Sequence, residues 1–184
     1  MVACGDADGA VTGNTRRFGS SLEKIKQVVS ARTGEIMFGL NLVVHKGKTI
    51  FVGDTSVHEY PSSEQLSEMA ISAARVVRLF GFDPKVAFVS HSTFGQPLTS
   101  RTKHIKKAVD ILITSQLRSA MIFNKNIKAT NYQIDTYKKK IYVYGIALTS
   151  DEKDLVISEA KEILDVENVI ASIIIVDDLR IQKD

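Results

Sequence analysis

TIFVGDTSVHEYPSSEQLSEMAISAARVVRLFGFDPKVAFVSHSTFG, residues 49–95, reads as one strand, helix, strand unit with a polar loop at each strand end. Ile50, Phe51 and Val52 form a short apolar run that breaks at Gly53-Asp54, the pattern of a strand buried on both faces. Ser62 and Gln65 stand at capping-box spacing, where a hydroxyl and an amide satisfy free N–H groups at a helix start. Leu66, Met69, Ala70, Ala73, Val77 and Phe80 follow at helical spacing, with Glu64, Glu68, Arg75 and Arg78 turned to water. Gly81 ends the helix, Asp83-Pro84 turns the chain, and residues 86–89 form a second apolar strand that delivers Ser90, His91, Ser92 and Thr93 to its C-terminal end. A right-handed crossover makes the two strands parallel, and open parallel sheets take ligands beyond their strand C-termini. Asp54 with Thr55, and His91 with Ser92, are therefore the candidate site on geometry alone.

Upstream, residues 36–44 and 49–52 read as strands joined by a tight hairpin at Lys46-Gly47, which makes the sheet mixed. Gly39 marks a bulge or a close backbone approach. Leu22, Ile25, Val28 and Val29 give the preceding helix an apolar face, Ser20 with Glu23 is its expected cap, and Gly34 its exit. Before that helix lies a polar, glycine-punctuated loop, GDADGAVTGNTRR at residues 5–17. Freed backbone N–H groups, threonine hydroxyls and Arg16 or Arg17 suit a phosphate, yet the pattern is neither GxxxxGK[ST] nor GxGxxG. From these residues alone, an anion loop and an ordinary turn with surface arginines both stay open.

GDADGAVTGNTRRF, FVGDTSVHEYPSSEQLSEMA and FGFDPKVAFVSHSTFG, taken in that order, resemble the middle section of the phosphate acetyl/butyryltransferase family. They are most similar to its version fused to the C-terminus of bacterial NADP-dependent malic enzymes, and the likeness covers about residues 1–112. It implies a three-layer α/β fold, present here in part, with a cleft for acyl-CoA or acyl phosphate. Thr12, Gly13, Arg16, Asp54, Ser92 and Thr93 would lie on or near that cleft. Acetyl-CoA or another acyl-CoA is the implied ligand, and no cofactor is certain. In malic enzymes the domain is understood as a ligand-binding regulatory appendage, whereas the stand-alone enzymes move an acetyl group between coenzyme A and phosphate.

The family's domain is several times longer than the stretch that resembles it here. No asparagine-aspartate-leucine-serine-arginine type run, which supplies much of the catalytic machinery in transacetylases, occurs after Gly95. Acyl transfer needs donors preorganised around developing charge. Binding without complete acyltransferase activity is therefore the expectation for this chain alone. A sheet cut short also bares apolar surface, so self-association into a homo-oligomer, or a companion chain, is expected.

A second unit follows without a linker. Ile105, Ala108, Val109, Leu112, Gln116, Leu117, Ala120 and Met121 share one helical face, so residues 104–121 read as one helix with the seam inside it. Tyr132, Ile134 and Thr136, then Ile141, Val143, Gly145 and Ala147, alternate around Lys138, Lys139 and Lys140, the pattern of a β-hairpin with a basic tip. Thr149 with Glu152 caps a further helix whose buried positions are Leu155, Val156, Ala160, Ile163 and Leu164, and residues 169–176 form a closing strand.

This small α+β order of helix, β-hairpin, helix, strand is similar to the BON domain of bacterial osmotic-stress and envelope proteins, with Gly145 at that family's glycine. Lysines replace its usual asparagine-glycine tip, and Asn168-Val169 its glycine-valine. The resemblance implies a non-catalytic module that meets anionic phospholipid or a protein partner, with Lys138, Lys139 and Lys140 as the contact surface. A module that only packs on its neighbour stays equally open. The expected division is thus residues 1–108 and 109–184.

Whole-chain composition sets the outer bounds. With 184 residues and 44% hydrophobic content the chain is of globular type, and no apolar run approaches a spanning helix. Its start lacks the basic and apolar segments of a signal peptide, which makes cytoplasmic location the expectation. The single cysteine, Cys4, excludes an internal disulfide, and His45, His58, His91 and His104 have no zinc-site spacing. Residues 99–140 carry ten Lys and Arg against two Asp, while residues 141–184 carry four against ten Asp and Glu. Such opposed segments favour pairing within the chain, and no nucleic acid is expected as a partner.

Overall fold

Helix α1, Phe18–Val28, is the main element of the first of two compact units, residues 1–38, in a computed structural model that describes residues 2–13, 15–31, 35–90 and 99–176. Its N-cap is Arg17, with no side-chain cap, so the expected Ser20–Glu23 cap does not form. The chain already enters the helix at Phe18, after a turn in which Arg16 N–H donates to the Gly13 carbonyl (3.4 Å), and Ser20 falls inside the first turn. Ser21 is the buried residue of this helix, while Phe18 and Val28 stay exposed.

The second unit, residues 39–184, opens with strands β1 (Leu40–His45) and β2 (Lys48–Gly53). They pair antiparallel from Leu40↔Gly53 to His45↔Lys48, leaving Lys46-Gly47 as a two-residue turn with both φ angles positive (48° and 75°). That is the hairpin the sequence indicates, since glycine tolerates the left-handed region and the twist of such a turn matches the strands. Residues 86–89 carry no ladder, so the expected parallel partner of β2 is not a strand, and β1–β2 is a two-stranded sheet. A parallel pairing rests on long-range contacts and covered faces, neither of which an apolar run supplies by itself.

Helix α2, Ser63–Leu79, begins in a complete capping box: Ser62 Oγ accepts from Gln65 N–H (3.2 Å) and Gln65 Oε1 accepts from Ser62 N–H (2.8 Å). Its end is equally well made. Gly81 (φ +81°) donates to Arg78, and Phe82 N–H donates back to Val77, the Schellman arrangement that glycine permits. Met69, Ala70 and Val77 are buried as expected; Phe80 is exposed but meets Phe51 at 5.6 Å between ring centroids.

Helix α3, Ser100–Phe123, runs unbroken through the boundary expected at residues 108–109, capped by Thr99, whose Oγ1 accepts from Thr102 N–H. Its first half packs on α2, linked by Lys107 Nζ to Glu64 at 2.7 Å; its second half enters the C-terminal core. Ile113 is buried and Gln116 is not, because the buried face passes from Ala108 to Ile113, Leu117 and Met121 as the helix changes partners.

Strands β3 (Tyr132–Tyr137) and β4 (Lys140–Ala147) form the expected hairpin, helix α4 (Ser150–Glu162) follows, and β5 (Asn168–Ile175) lies parallel to β4, giving the order β3-β4-β5. The core joins Leu117 and Met121 with Ile134, Ile141, Val143, Val156, Ala160 and Ile173. Leu164 is exposed rather than buried because α4 ends two residues before it. The fold is mixed α/β, as the sequence indicates, and no described helix is long and apolar enough to cross a membrane.

Candidate functional site

In the first unit a shallow cavity of about 260 Å³ is lined by Thr12, Gly13, Arg16, Phe18, Ser21, Leu22 and Ile25. Three of these, Thr12, Gly13 and Arg16, are residues the sequence singles out. Gly13 holds a φ of +107°, a backbone state that a side chain strains. Ser21 was not foreseen: it is more than nine-tenths buried, its Oγ has no hydrogen-bond partner, and a Cβ on Gly13 would stand 4.0 Å from it. The cavity thus joins a polar rim to an apolar wall of Phe18, Leu22 and Ile25, at helical spacing along α1. Arg16 is part of the lining, and the adjoining helix starts without a side-chain cap, so the local field favours an anion.

Asp54 lies in the second unit and is committed to its own loop. Oδ1 accepts from Gly39 (3.2 Å), Ser56 (3.3 Å) and Val57 (3.0 Å) N–H, and Oδ2 accepts from His58 N–H (2.9 Å) and meets His58 Nδ1 at 2.6 Å. Burial by itself would raise this carboxyl's pKa, but the His58 ring and the three other N–H donors outweigh it and hold the group below its ordinary value. Gly39 is the close approach that its place in the sequence suggests, because a Cβ there would stand 3.4 Å from both Asp54 Oδ1 and Ser56 Oγ. Thr55 Oγ1 accepts from the Asn41 amide at 2.6 Å. His91, Ser92 and Thr93 lie outside the described residues.

The lysine tip is a two-residue turn in which Lys138 and Lys139 both adopt positive φ (50° and 60°). Asp110, on α3, accepts from the backbone N–H of both (2.9 and 2.8 Å) and so holds the turn from 28 residues away. The side chains diverge: Lys138 Nζ lies 5.1 Å from the Tyr137 ring centroid, Lys139 Nζ pairs with Asp165 at 3.4 Å, and Lys140 is exposed at the start of β4. Lys139–Asp165 is an ion pair between the basic and acidic segments among the described residues, and Lys128 N–H donates to Glu152 across the same two segments.

Glu152 is the other carboxylate that sequence spacing assigned to a cap. Thr149 Oγ1 does accept from its N–H (3.1 Å), but its buried carboxylate turns inward and accepts from Lys128 and Leu148 N–H, each at 2.9 Å. Burial opposes this charge, and the two backbone donors outweigh it and lower the pKa. Tyr132 lies beside it with its hydroxyl buried and without hydrogen-bond geometry; burial and the Glu152 charge together push that phenol up.

These elements define a mixed α/β chain with a small anion-favouring cavity at one helix start. The chain belongs to the phosphate acetyl/butaryl transferase family, whose pattern matches residues 1–123 and so ends with the last residue of α3. It is 40% identical over 112 residues to an NADP-dependent malic enzyme of Rhizobium meliloti, covering 61% of this chain and 15% of that enzyme. A phosphate acetyltransferase of Nitratidesulfovibrio vulgaris is 37% identical over 94 residues, covering 50% and 13%. For a phosphate acetyltransferase of Corynebacterium glutamicum the identity is 34% over 94 residues, covering 50% and 29%. The chain therefore spans a small part of the length of these relatives, between 13% and 29%.

Proposed function

We propose that this chain is a ligand-binding unit of the phosphate acetyl/butaryl transferase type, taking the acyl-phosphate end of that chemistry without completing acyl transfer. The observation that carries the reading is the cavity of Thr12, Gly13, Arg16 and Ser21 set against Phe18, Leu22 and Ile25. A phosphoryl group suits the rim, and a short acyl chain suits the wall. About 260 Å³ is below the ~300 Å³ at which pockets for drug-sized ligands begin, so coenzyme A would at most place its reacting end here. Nothing in the cavity is a nucleophile with an adjacent base, which is why binding rather than turnover is proposed. A companion chain or a second copy would have to contribute the rest of a catalytic cleft.

Isothermal titration of the chain with acetyl phosphate, inorganic phosphate and acetyl-CoA tests this. Acetyl phosphate should give saturable heat that weakens at least tenfold in Arg16→Ala. Absence of heat with all three ligands would sink the reading.

A second reading concerns the region of residues 109–184, which we infer to be a BON-like surface module. Exposed Tyr137, Lys138 and Lys140 at one end of the β3-β4-β5 sheet favour it, since cations beside an aromatic ring suit an anionic interface. Co-sedimentation with phosphatidylserine vesicles at low salt should fall when Lys138 and Lys140 are neutralised. Failure of the parent chain to sediment removes the reading.

A further inference from the structure

We propose that two copies of this chain join edge to edge through β5, making one six-stranded sheet. Among the described residues the strand β5 is an edge of the order β3-β4-β5, and its eight residues, NVIASIII, contain no charge and no proline. Its pairing with β4 is continuous from Lys140↔Asn168 to Ala147↔Ile175, so no bulge turns the edge away. Sheets guard open edges with charges, prolines or bulges. The other edge, β3, has such a guard in Asp135, beside Gln133. β5 has none.

The side chains around that edge are apolar and open. Ile170 is 41% exposed, Ile174 65% and Ile175 43%, and Tyr144 on the neighbouring strand is 46% exposed. An eight-residue strand is about 26 Å long. Zipping two such edges together, with a row of side chains above and below, covers on the order of 500 Å² per copy, about 1,000 Å² in total, the lower bound for a biological interface and the size of a reversible dimer.

The pleat fixes the register. Two strands keep their inner and outer faces only when paired residues share a face. Centring an antiparallel pair on Ser172 sets Ile170 against Ile174, Ala171 against Ile173 and Val169 against Ile175, with Ser172 against its own copy at the axis. Moving the centre one residue either way sets an isoleucine against Ser172 instead. The arrangement also closes: each copy uses its β5 edge once, and the two ends of the joined sheet are the β3 edges guarded by Asp135, so assembly stops at two.

The test uses the full chain with Cys4→Ser, so that introduced thiols are the only ones. Sedimentation velocity over a concentration series should show a monomer–dimer equilibrium. Ile174→Lys should weaken it at least tenfold, with the melting curve unchanged at concentrations where both proteins are monomeric, because that side chain is outside the core. Independently, Ser172→Cys should be captured as a disulfide-linked dimer under mild oxidation, and Gln133→Cys on the opposite edge should not. A chain that stays monomeric throughout overturns the proposal. Dimers that survive Ile174→Lys and yield no Ser172 cross-link overturn it too, and assign the contact to another surface such as the β1–β2 hairpin.

Discussion

Asp54 makes a test of the residue scale, because one carboxylate organises the loop from Gly53 to His58 and reaches back to Gly39. Asp54→Ala removes five contacts and leaves partly buried N–H groups without their acceptor, with an expected loss of about 1–3 kcal/mol in urea unfolding. The pH dependence has a definite sign. Its folded pKa is depressed, so its contribution is full above the unfolded carboxyl's pKa and is lost as pH falls through the lower folded value. Glu152 acts in the same direction. Acid titration below about pH 4 should therefore narrow the gap between the parent and Asp54→Ala. Gly145 has the opposite problem, since a Cβ there would strike the Asn131 carbonyl and stand 2.6 Å from Tyr132 Cδ1. Gly145→Ala should cost more than about 3 kcal/mol, read as a collapse of the melting temperature. The close approach at Gly39 was legible, because glycine inside an expected strand signals a close neighbour; Gly145 stood out only by its place in the BON-like pattern, not for the contact it avoids. The roles of Asp110 and Ser21 were not legible. Asp110 acts on a turn far along the chain, and Ser21 is conspicuous only for the partner its hydroxyl lacks.

At the scale of elements, most signals contained within a few residues carried through, the Ser20–Glu23 cap excepted, whereas the parallel partner expected for β2 did not. The Ser62–Gln65 box, the Gly81 stop, the Lys46-Gly47 turn and the whole order of α3 to β5 are local or periodic patterns, and each forms. Residues 86–89 have strand composition but no ladder, because composition does not provide a neighbour to pair with. The Lys138-Lys139 turn yields a prediction of its own. Two non-glycine residues sit at positive φ, a state that costs about 1 kcal/mol or more apiece and that the Asp110 carboxylate offsets. Lys139→Gly should raise thermal stability by about 1 kcal/mol, whereas Asp110→Ala should lower it by a similar amount or more. If Lys139→Gly lowers the melting temperature, the Asp165 pair matters more than the backbone strain.

Across the whole molecule, the expected bared apolar surface is found on the β1–β2 hairpin, where Leu42, Val43, Val44, Ile50 and Val52 are all exposed. A two-stranded sheet is marginal unless something packs on it. Replacing Val44 and Ile50 by threonine should reduce binding of a hydrophobic dye while leaving the melting curve unchanged, since neither residue is in the core. Unchanged dye binding would mean that this hairpin is not the sticky surface.

Helix α3 has a consequence in time. Its first half docks on α2, made earlier in the chain, whereas the core partners of its second half, from Ile127 to Ile173, are all made later. During synthesis the N-terminal parts of a protein are available to fold first. The α2–α3 pair can therefore form while the strands that will cover Ile113, Leu117 and Met121 are still being synthesised. Those three side chains would then form an apolar stripe facing water, a template on which β3, β4 and β5 can assemble. The same helix that ends the family match at Phe123 is the surface on which the last third of the protein folds.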